Sequence, residues 1–184
     1  MALLWLAVSL VAVPVLADAP AGTSLYNLGS TWTGADGKTA SLAQALGGKK
    51  AVLAMFYTGC SSLCPLIVER MKAIEEALPE DERPRVRFVL FSLDPVFDTP
   101  ERLRAFAASH GIDPSRWGLY RGDERAVRQL AMALGISYRQ DGEGGFDHSN
   151  LISLIDAGGT LRYQQSGSDA AIEPFFSHIV ARVP

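Results

Sequence analysis

Only two cysteines occur in the chain, and three residues separate them in Cys60-Ser61-Ser62-Leu63-Cys64, followed by Pro65. A disulfide between them would close a tiny loop and add little global stability, so the pair points to chemistry rather than to stapling. The run before it, Lys50 to Tyr57 (KAVLAMFY), is the continuous apolar stretch that a buried strand needs. After Pro65, the residues Leu66, Ile67, Met71, Ile74 and Leu78 recur at helical intervals. The cysteines therefore sit where a strand runs into a helix. Unpaired amides and a partial positive charge at a helix start favour thiolate over thiol, which predicts lowered thiol pKa values here. If the segment closes like a helical turn, residues four apart share a face, and both sulfurs can meet one ion. Soft thiolates select soft ions such as Cu(I). Gly59, Ser61, Ser62 and Pro65 mark an exposed turn, against the alternative of two cysteines packed as small apolar residues.

Three histidines could add a nitrogen ligand. His110 precedes Gly111 at an apparent helix end, and His178 lies among Phe175, Phe176 and Ile179; both read as structural or surface residues. His148 follows the glycine-rich stretch Gly142-Glu143-Gly144-Gly145 and precedes a buried strand. From the residues alone, a functional and a structural role stay equally open for it. Met55 and Met71 are soft atoms near the cysteines, but their positions fit strand and helix core, so neither is named as a ligand.

The elements that must hold these residues follow from the pattern. Thr31-Trp32-Thr33 and Lys38-Thr39-Ala40 flank Gly34-Ala35-Asp36-Gly37, an N-terminal β-hairpin signal. Ser41 is placed to cap a short helix, Leu42 to Leu46. Beyond the strand and helix around the cysteines come a strand at Val86 to Leu93, then a helix opened by Asp98-Thr99-Pro100-Glu101. A strand at Trp117 to Tyr120 and a helix at Asp123 to Leu134 follow. Leu151 to Ile155 and Leu161 to Gln165 read as strands around the turn Asp156 to Gly159, and Ala170 to Val180 as a closing helix. Strand–helix alternation ending in a hairpin and a helix predicts an α/β fold, a central mixed sheet flanked by helices.

The chain's 184 residues favour one domain, and 48% hydrophobic content suffices for a packed core. A formal net charge of −3 with no basic run argues against nucleic acid as a partner. Residues 1–19 read as a cleavable signal peptide. The apolar run Leu3 to Val13 has the length of its hydrophobic region, and Ala17 and Ala19 offer small-residue cleavage positions. The run is too short for a spanning helix, although an uncleaved anchor is the alternative. Residues 20–27 read as a linker and 28–184 as the domain, a monomer in the periplasm with no transmembrane helix in its mature form.

FYTGCSSLCP resembles the C-x-x-x-C-P signature of the Sco/SenC family, thioredoxin-like proteins required for assembling the dicopper centre of cytochrome c oxidase. SLDPVFDTPERLRAF resembles that family's S-x-D-P and D-T-P-E elements, with Asp94-Pro95 and Asp98-Thr99-Pro100-Glu101 in place. DHSNLISLIDAGGTL resembles its V-D-H-(T/S)-x-x-x-x-L-I-D-x-x-G segment, with Asp147 and His148 in register. The resemblance runs from about Leu28 to the C-terminus.

It implies a thioredoxin-like fold and a copper site made of Cys60, Cys64 and His148. Two thiolates can hold Cu(I), Cu(II) wants further nitrogen ligands, and one imidazole would let a single site hold both states. Asp147 is a candidate to orient His148. The implied partner is the copper-bearing subunit of cytochrome c oxidase or another periplasmic copper protein. The chief rival is a thiol-disulfide oxidoreductase using Cys60 and Cys64 on a copper protein's cysteines. Against it stand three intervening residues instead of two, no proline in His148-Ser149-Asn150-Leu151, and no need for His148. A peroxidase of the same fold and a zinc site fit less well.

Overall fold

The computed structural model describes residues 24–60, 63–142, 145–168 and 171–180; the expected signal peptide lies outside them. Its elements, in chain order, are β1 (Thr31–Gly34), β2 (Thr39–Ser41), α1 (Leu42–Leu46), β3 (Lys50–Phe56) and α2 (Leu63–Ala77). Then come β4 (Val86–Ser92), α3 (Pro100–Ser109), β5 (Trp117–Gly122), α4 (Glu124–Ala133), β6 (Tyr138–Gln140) and β7 (Phe146–His148). β8 (Leu151–Ile155), β9 (Leu161–Ser166) and α5 (Glu173–Val180) complete the chain.

Among the described residues, seven strands form one sheet in the order β2-β1-β5-β4-β3-β8-β9. β3, β4 and β5 run parallel, and the outer pairings are antiparallel, which makes the sheet mixed as expected. Helices cover both faces, so the central strands are apolar on both sides. Along β3, Val52, Ala54 and Phe56 point into a core shared with α2, α3 and α5, while Ala51, Leu53 and Met55 point into a second core shared with α1 and α4. The chain has the thioredoxin-like α/β fold.

The helix ends are set by short polar side chains. The Ser41 hydroxyl accepts from the Gln44 amide while the Gln44 side chain accepts from the Ser41 amide, a reciprocal cap. Thr99 and Asp123 cap α3 and α4 by accepting from the Arg102 and Ala126 amides.

Two elements differ from the sequence reading. Residues 25–27, expected in the linker, belong to a 3-10 turn at Leu25–Leu28 whose Leu25 is buried in the second core. Ser24 and Tyr26 bind the carbonyls of Gly158 and Ala157, and a side chain at Gly159 (φ 83°) would collide with both. On either side of the glycine-rich loop expected at 142–145, β6 and β7 pair as a small sheet of their own.

Candidate metal centre

β3 ends at Phe56, whose carbonyl accepts from the Leu93 amide at 2.7 Å, and the chain then turns through Tyr57, Thr58 and Gly59. The Cys60 amide closes this turn onto the Tyr57 carbonyl at 3.2 Å. Cys64 lies in the first turn of α2, and its amide donates to Cys60 Sγ at 3.3 Å. One of the orphan donors of a helix start is thus satisfied by the partner cysteine's sulfur. Both cysteines are reduced, and this contact sets the Cys60 sulfur against the helix turn that carries Cys64.

The pair is more buried than an exposed turn would make it. Cys60 is 9% exposed and Cys64 0%, and both belong to the core that α2 shares with β3. The lowered thiol pKa expected at a helix start is accordingly overturned for Cys64. Burial pushes its thiol far up, and the neighbouring Cys60 sulfur and Asp98 carboxylate push the same way. A helix terminus contributes about 0.3–1 kcal/mol to a nearby charge, whereas burying an unpaired thiolate costs several times that. Burial thus holds Cys64 as the thiol.

Asp98 holds the cysteine loop in place. Its carboxylate, 1% exposed, accepts from the Thr58 amide (3.1 Å), the Thr58 hydroxyl and the Ser92 hydroxyl. It therefore ties the turn before Cys60 to the end of β4, immediately before the cap of α3. Burial, partly offset by these donors, raises its pKa above the ordinary carboxylate range. With the folded value above the unfolded one, this group's contribution to stability is complete at low pH and is lost as pH rises through the raised value. Asp98→Asn cannot ionise, so wild type should gain stability relative to it as pH falls from about 7 to about 4. Urea unfolding of both proteins across that range measures the difference; a flat or reversed slope would contradict it.

His148 ends β7, opposite Tyr138 of β6. Its Nδ1 lies 3.1 Å from the Ser149 carbonyl, which can only accept, so Nδ1 carries the proton and Nε2 the lone pair. Nε2 is buried and has no hydrogen-bond partner among the described residues. Burial also depresses the His148 pKa below its ordinary value, which keeps the ring neutral and metal-competent near neutral pH. Asp147, the candidate to orient this ring, instead pairs with Arg139 across the exposed face of the hairpin at 3.0 Å. The orienting group is the Ser149 carbonyl.

Tyr57 stands between the two halves. Burial raises the pKa of its hydroxyl, with the nearby Cys60 and Cys64 sulfurs pushing the same way, and its ring meets the His148 ring edge-on with centroids 6.1 Å apart. The imidazole is therefore one aromatic side chain away from the sulfur pair. Among the described residues no three His, Cys, Asp or Glu side chains are yet gathered tightly enough to hold a metal ion. The other histidines serve packing. His110 stacks on Phe106 and bonds its carbonyl, and His178 stacks on Tyr163 and bonds the Pro174 carbonyl.

A family model described as SCO1/SenC matches residues 23–180. The chain belongs to the SCO1/SenC family. A relative from Stutzerimonas stutzeri, whose name proposes copper binding, is 26% identical over 125 residues, covering 65% of this chain and 59% of that protein. The chain thus spans less than two thirds of that relative. A SCO1/SenC family lipoprotein from Bacillus anthracis is 28% identical in its crystal structure, with a TM-score of 0.73 over 81% of this chain and 89% of its own. Bradyrhizobium japonicum ScoI, solved with copper bound, superimposes with a TM-score of 0.67 at 22% identity, covering 82% and 94% of the two chains. That last likeness speaks for the fold. Tyr57 and Asp98, which buttress the centre in this SCO1/SenC chain, had no site role in the sequence reading; Asp98 stood out as a helix-opening residue within the D-T-P-E element.

Proposed function

We propose that this protein is a periplasmic metallochaperone that binds one copper ion through Cys60, Cys64 and His148 and delivers it to, or matures, the dicopper centre of cytochrome c oxidase. The observation that carries this reading is the buried Nε2 of His148, a lone pair without a donor, one tyrosine away from two sulfurs. A buried acceptor left unpaired costs about 1–3 kcal/mol, a cost that a metal ion would relieve. The donor set of two sulfurs and one neutral imidazole fits copper in both oxidation states. The copper-binding name of the Stutzerimonas relative and the copper in the Bradyrhizobium structure support the choice of ion. Export is supported by the signal-like residues 1–19 and by the lipoprotein relative. No helix among the described residues is long and apolar enough to cross a membrane. Another periplasmic copper protein is the alternative client.

The test is copper titration of the reduced protein. Wild type should take one equivalent and show a sulfur-to-Cu(II) charge-transfer band in the visible range, and Cys60→Ser/Cys64→Ser should lose both. Wild type without the band, binding Cu(I) no better than the double variant, would overturn the reading. One observation favours a second role: Cys60 Sγ already receives the Cys64 amide at 3.3 Å, close enough for the pair to cycle through a disulfide as a thiol-disulfide oxidoreductase. His148→Ala separates the two, since a dithiol reductase keeps its activity without the imidazole.

A further inference from the structure

Lys49 directly precedes β3, Val86 opens β4, and Ser115 and Arg116 lead into β5, so three parallel strands begin side by side at the end of the sheet opposite the cysteine turn. β3 separates the two ends with seven residues, about 20 Å of extended chain. A cavity of about 540 Å³ opens at the far end, lined chiefly by Lys49, Arg83, Arg87, Ser115 and Arg116, with Glu80 as its one acid among the described residues. Elsewhere cations are matched to carboxylates, as Lys72 is to Glu69, Arg104 to Glu101 and Arg128 to Glu124. In the cavity Arg116 follows that rule, paired with Glu75 at 2.8 Å. Lys49, Arg83 and Arg87 do not. Among the described residues, their hydrogen bonds go to main-chain carbonyls alone: Lys49 to Pro84 (2.9 Å), Arg83 to Leu78 and Glu76 (2.9 and 2.8 Å), and Arg87 to Arg116 (3.4 Å). Carbonyls fix these heads without cancelling their charge. A chain of formal net charge −3 thus gathers three unmatched cations in one concavity.

We propose that this cavity binds a phosphate-bearing anion through Arg83, Arg87 and Lys49. The site is separate from the cysteine pair and does not depend on the copper reading. A guanidinium presents a planar fork of N–H donors that matches two oxygens of a phosphate, and the carbonyl bonds occupy only part of each fork. Heads already held by the backbone lose little freedom when an anion arrives. Arg83 and Arg87 are half-buried, so their charges are screened less than those of fully exposed side chains. Several unmatched cations in one concavity suit an anion with more than one negative charge, which favours phosphate over a single carboxylate. The Ser115 hydroxyl offers a further donor at the rim. The volume falls in the range of small-molecule sites and leaves room for the group that the phosphate esterifies. A soluble phosphate compound and a phospholipid headgroup present this same chemistry.

The test uses the exported protein, reduced and metal-free, with inorganic pyrophosphate as the soluble probe and vesicles of phosphatidylglycerol in phosphatidylcholine as the lipid probe. Pyrophosphate should shift the amide resonances of Val86, Arg87 and Arg116 and leave those of Cys60 and Cys64 in place. Arg83→Gln/Arg87→Gln should weaken its binding about tenfold or more. Arg104→Gln/Arg128→Gln removes the same charge elsewhere and should change it by less than about twofold. Vesicle binding that falls with the first pair assigns the site to a lipid headgroup; pyrophosphate binding without vesicle binding assigns it to a soluble phosphate compound. No shifts at about 10 mM pyrophosphate, with no vesicle binding that responds to the first pair, would overturn the proposal. Equal losses from both pairs would overturn it too, because general charge attraction would then suffice. If the first pair fails to fold, the wild-type shifts decide: confinement to the cavity supports the site, and spread over the whole surface rejects it.

Discussion

Replacing His148 with alanine should cost the protein about 100-fold or more in Cu(II) affinity while moving Cu(I) affinity by less than about threefold. The asymmetry follows from the two kinds of donor. Sulfur from Cys60 and Cys64 satisfies a soft, low-coordinate ion unaided, whereas Cu(II) needs the harder nitrogen and more ligands. The nitrogen on offer is defined: Nδ1 is committed to the Ser149 carbonyl, so Nε2 is the atom that would meet an ion, on a ring whose pKa burial holds down. The metal-free protein should lose the packing of the ring against Tyr57 and the Nδ1 hydrogen bond to the Ser149 carbonyl, while Nε2 makes no hydrogen bond that could be lost. Competition titrations with a chelator for each oxidation state measure both affinities. Parallel losses would remove His148 from the ligand set and leave a two-sulfur site.

Much of this architecture is legible in the residues because single physical requirements dominate there. A strand buried on both faces must be apolar without alternation, and residues 51–56 and 88–91 are so. Helix starts need a short oxygen-bearing side chain, and Ser41, Thr99 and Asp123 supply it. Pro174, in the first turn of α5, carries the same kind of signal; given its due weight, it would have moved the expected start from Ala170 to Glu173. The hairpin β6–β7 has no such local signature. Each strand is three residues long, and Tyr-Arg-Gln and Phe-Asp-His lack an alternation long enough to read. What orders it is tertiary, the contacts of Phe146 and His148 with Tyr57.

At the site, residue types and spacing single out the chemically capable atoms, but their protonation depends on burial, which spacing does not reveal. A helix start argues for thiolate at Cys64; full enclosure argues harder for thiol. Asp98 illustrates the same point. Next to Thr99 and Pro100 it reads as part of a helix start, yet its carboxylate turns inward to Thr58 and Ser92 and joins the cysteine turn to β4. An acid that reaches a partner forty positions away in the chain gives no local sign of it.

The largest loss of stability near the site is expected from Phe56→Ala. Phe56 is fully buried at the end of β3, its ring 4.8 Å from that of Phe106 in α3, within the core that also encloses Cys64. Truncating such a ring removes its transfer free energy and leaves a cavity between a strand and two helices that cannot close together, at a cost of about 3–5 kcal/mol. For a chain of this length that corresponds to a fall of roughly 10 °C in Tm, measurable by thermal unfolding followed by circular dichroism. The backbone ties are untouched: the Phe56 carbonyl still accepts from Leu93, and Asp98 still accepts from Thr58. Copper stoichiometry measured well below the new Tm should therefore stay at one. A destabilisation below about 1 kcal/mol would mean that α3 settles into the cavity. Loss of copper from a still-folded variant would mean that packing beneath the cysteine turn, and not its hydrogen bonds to Asp98, holds the two sulfurs together.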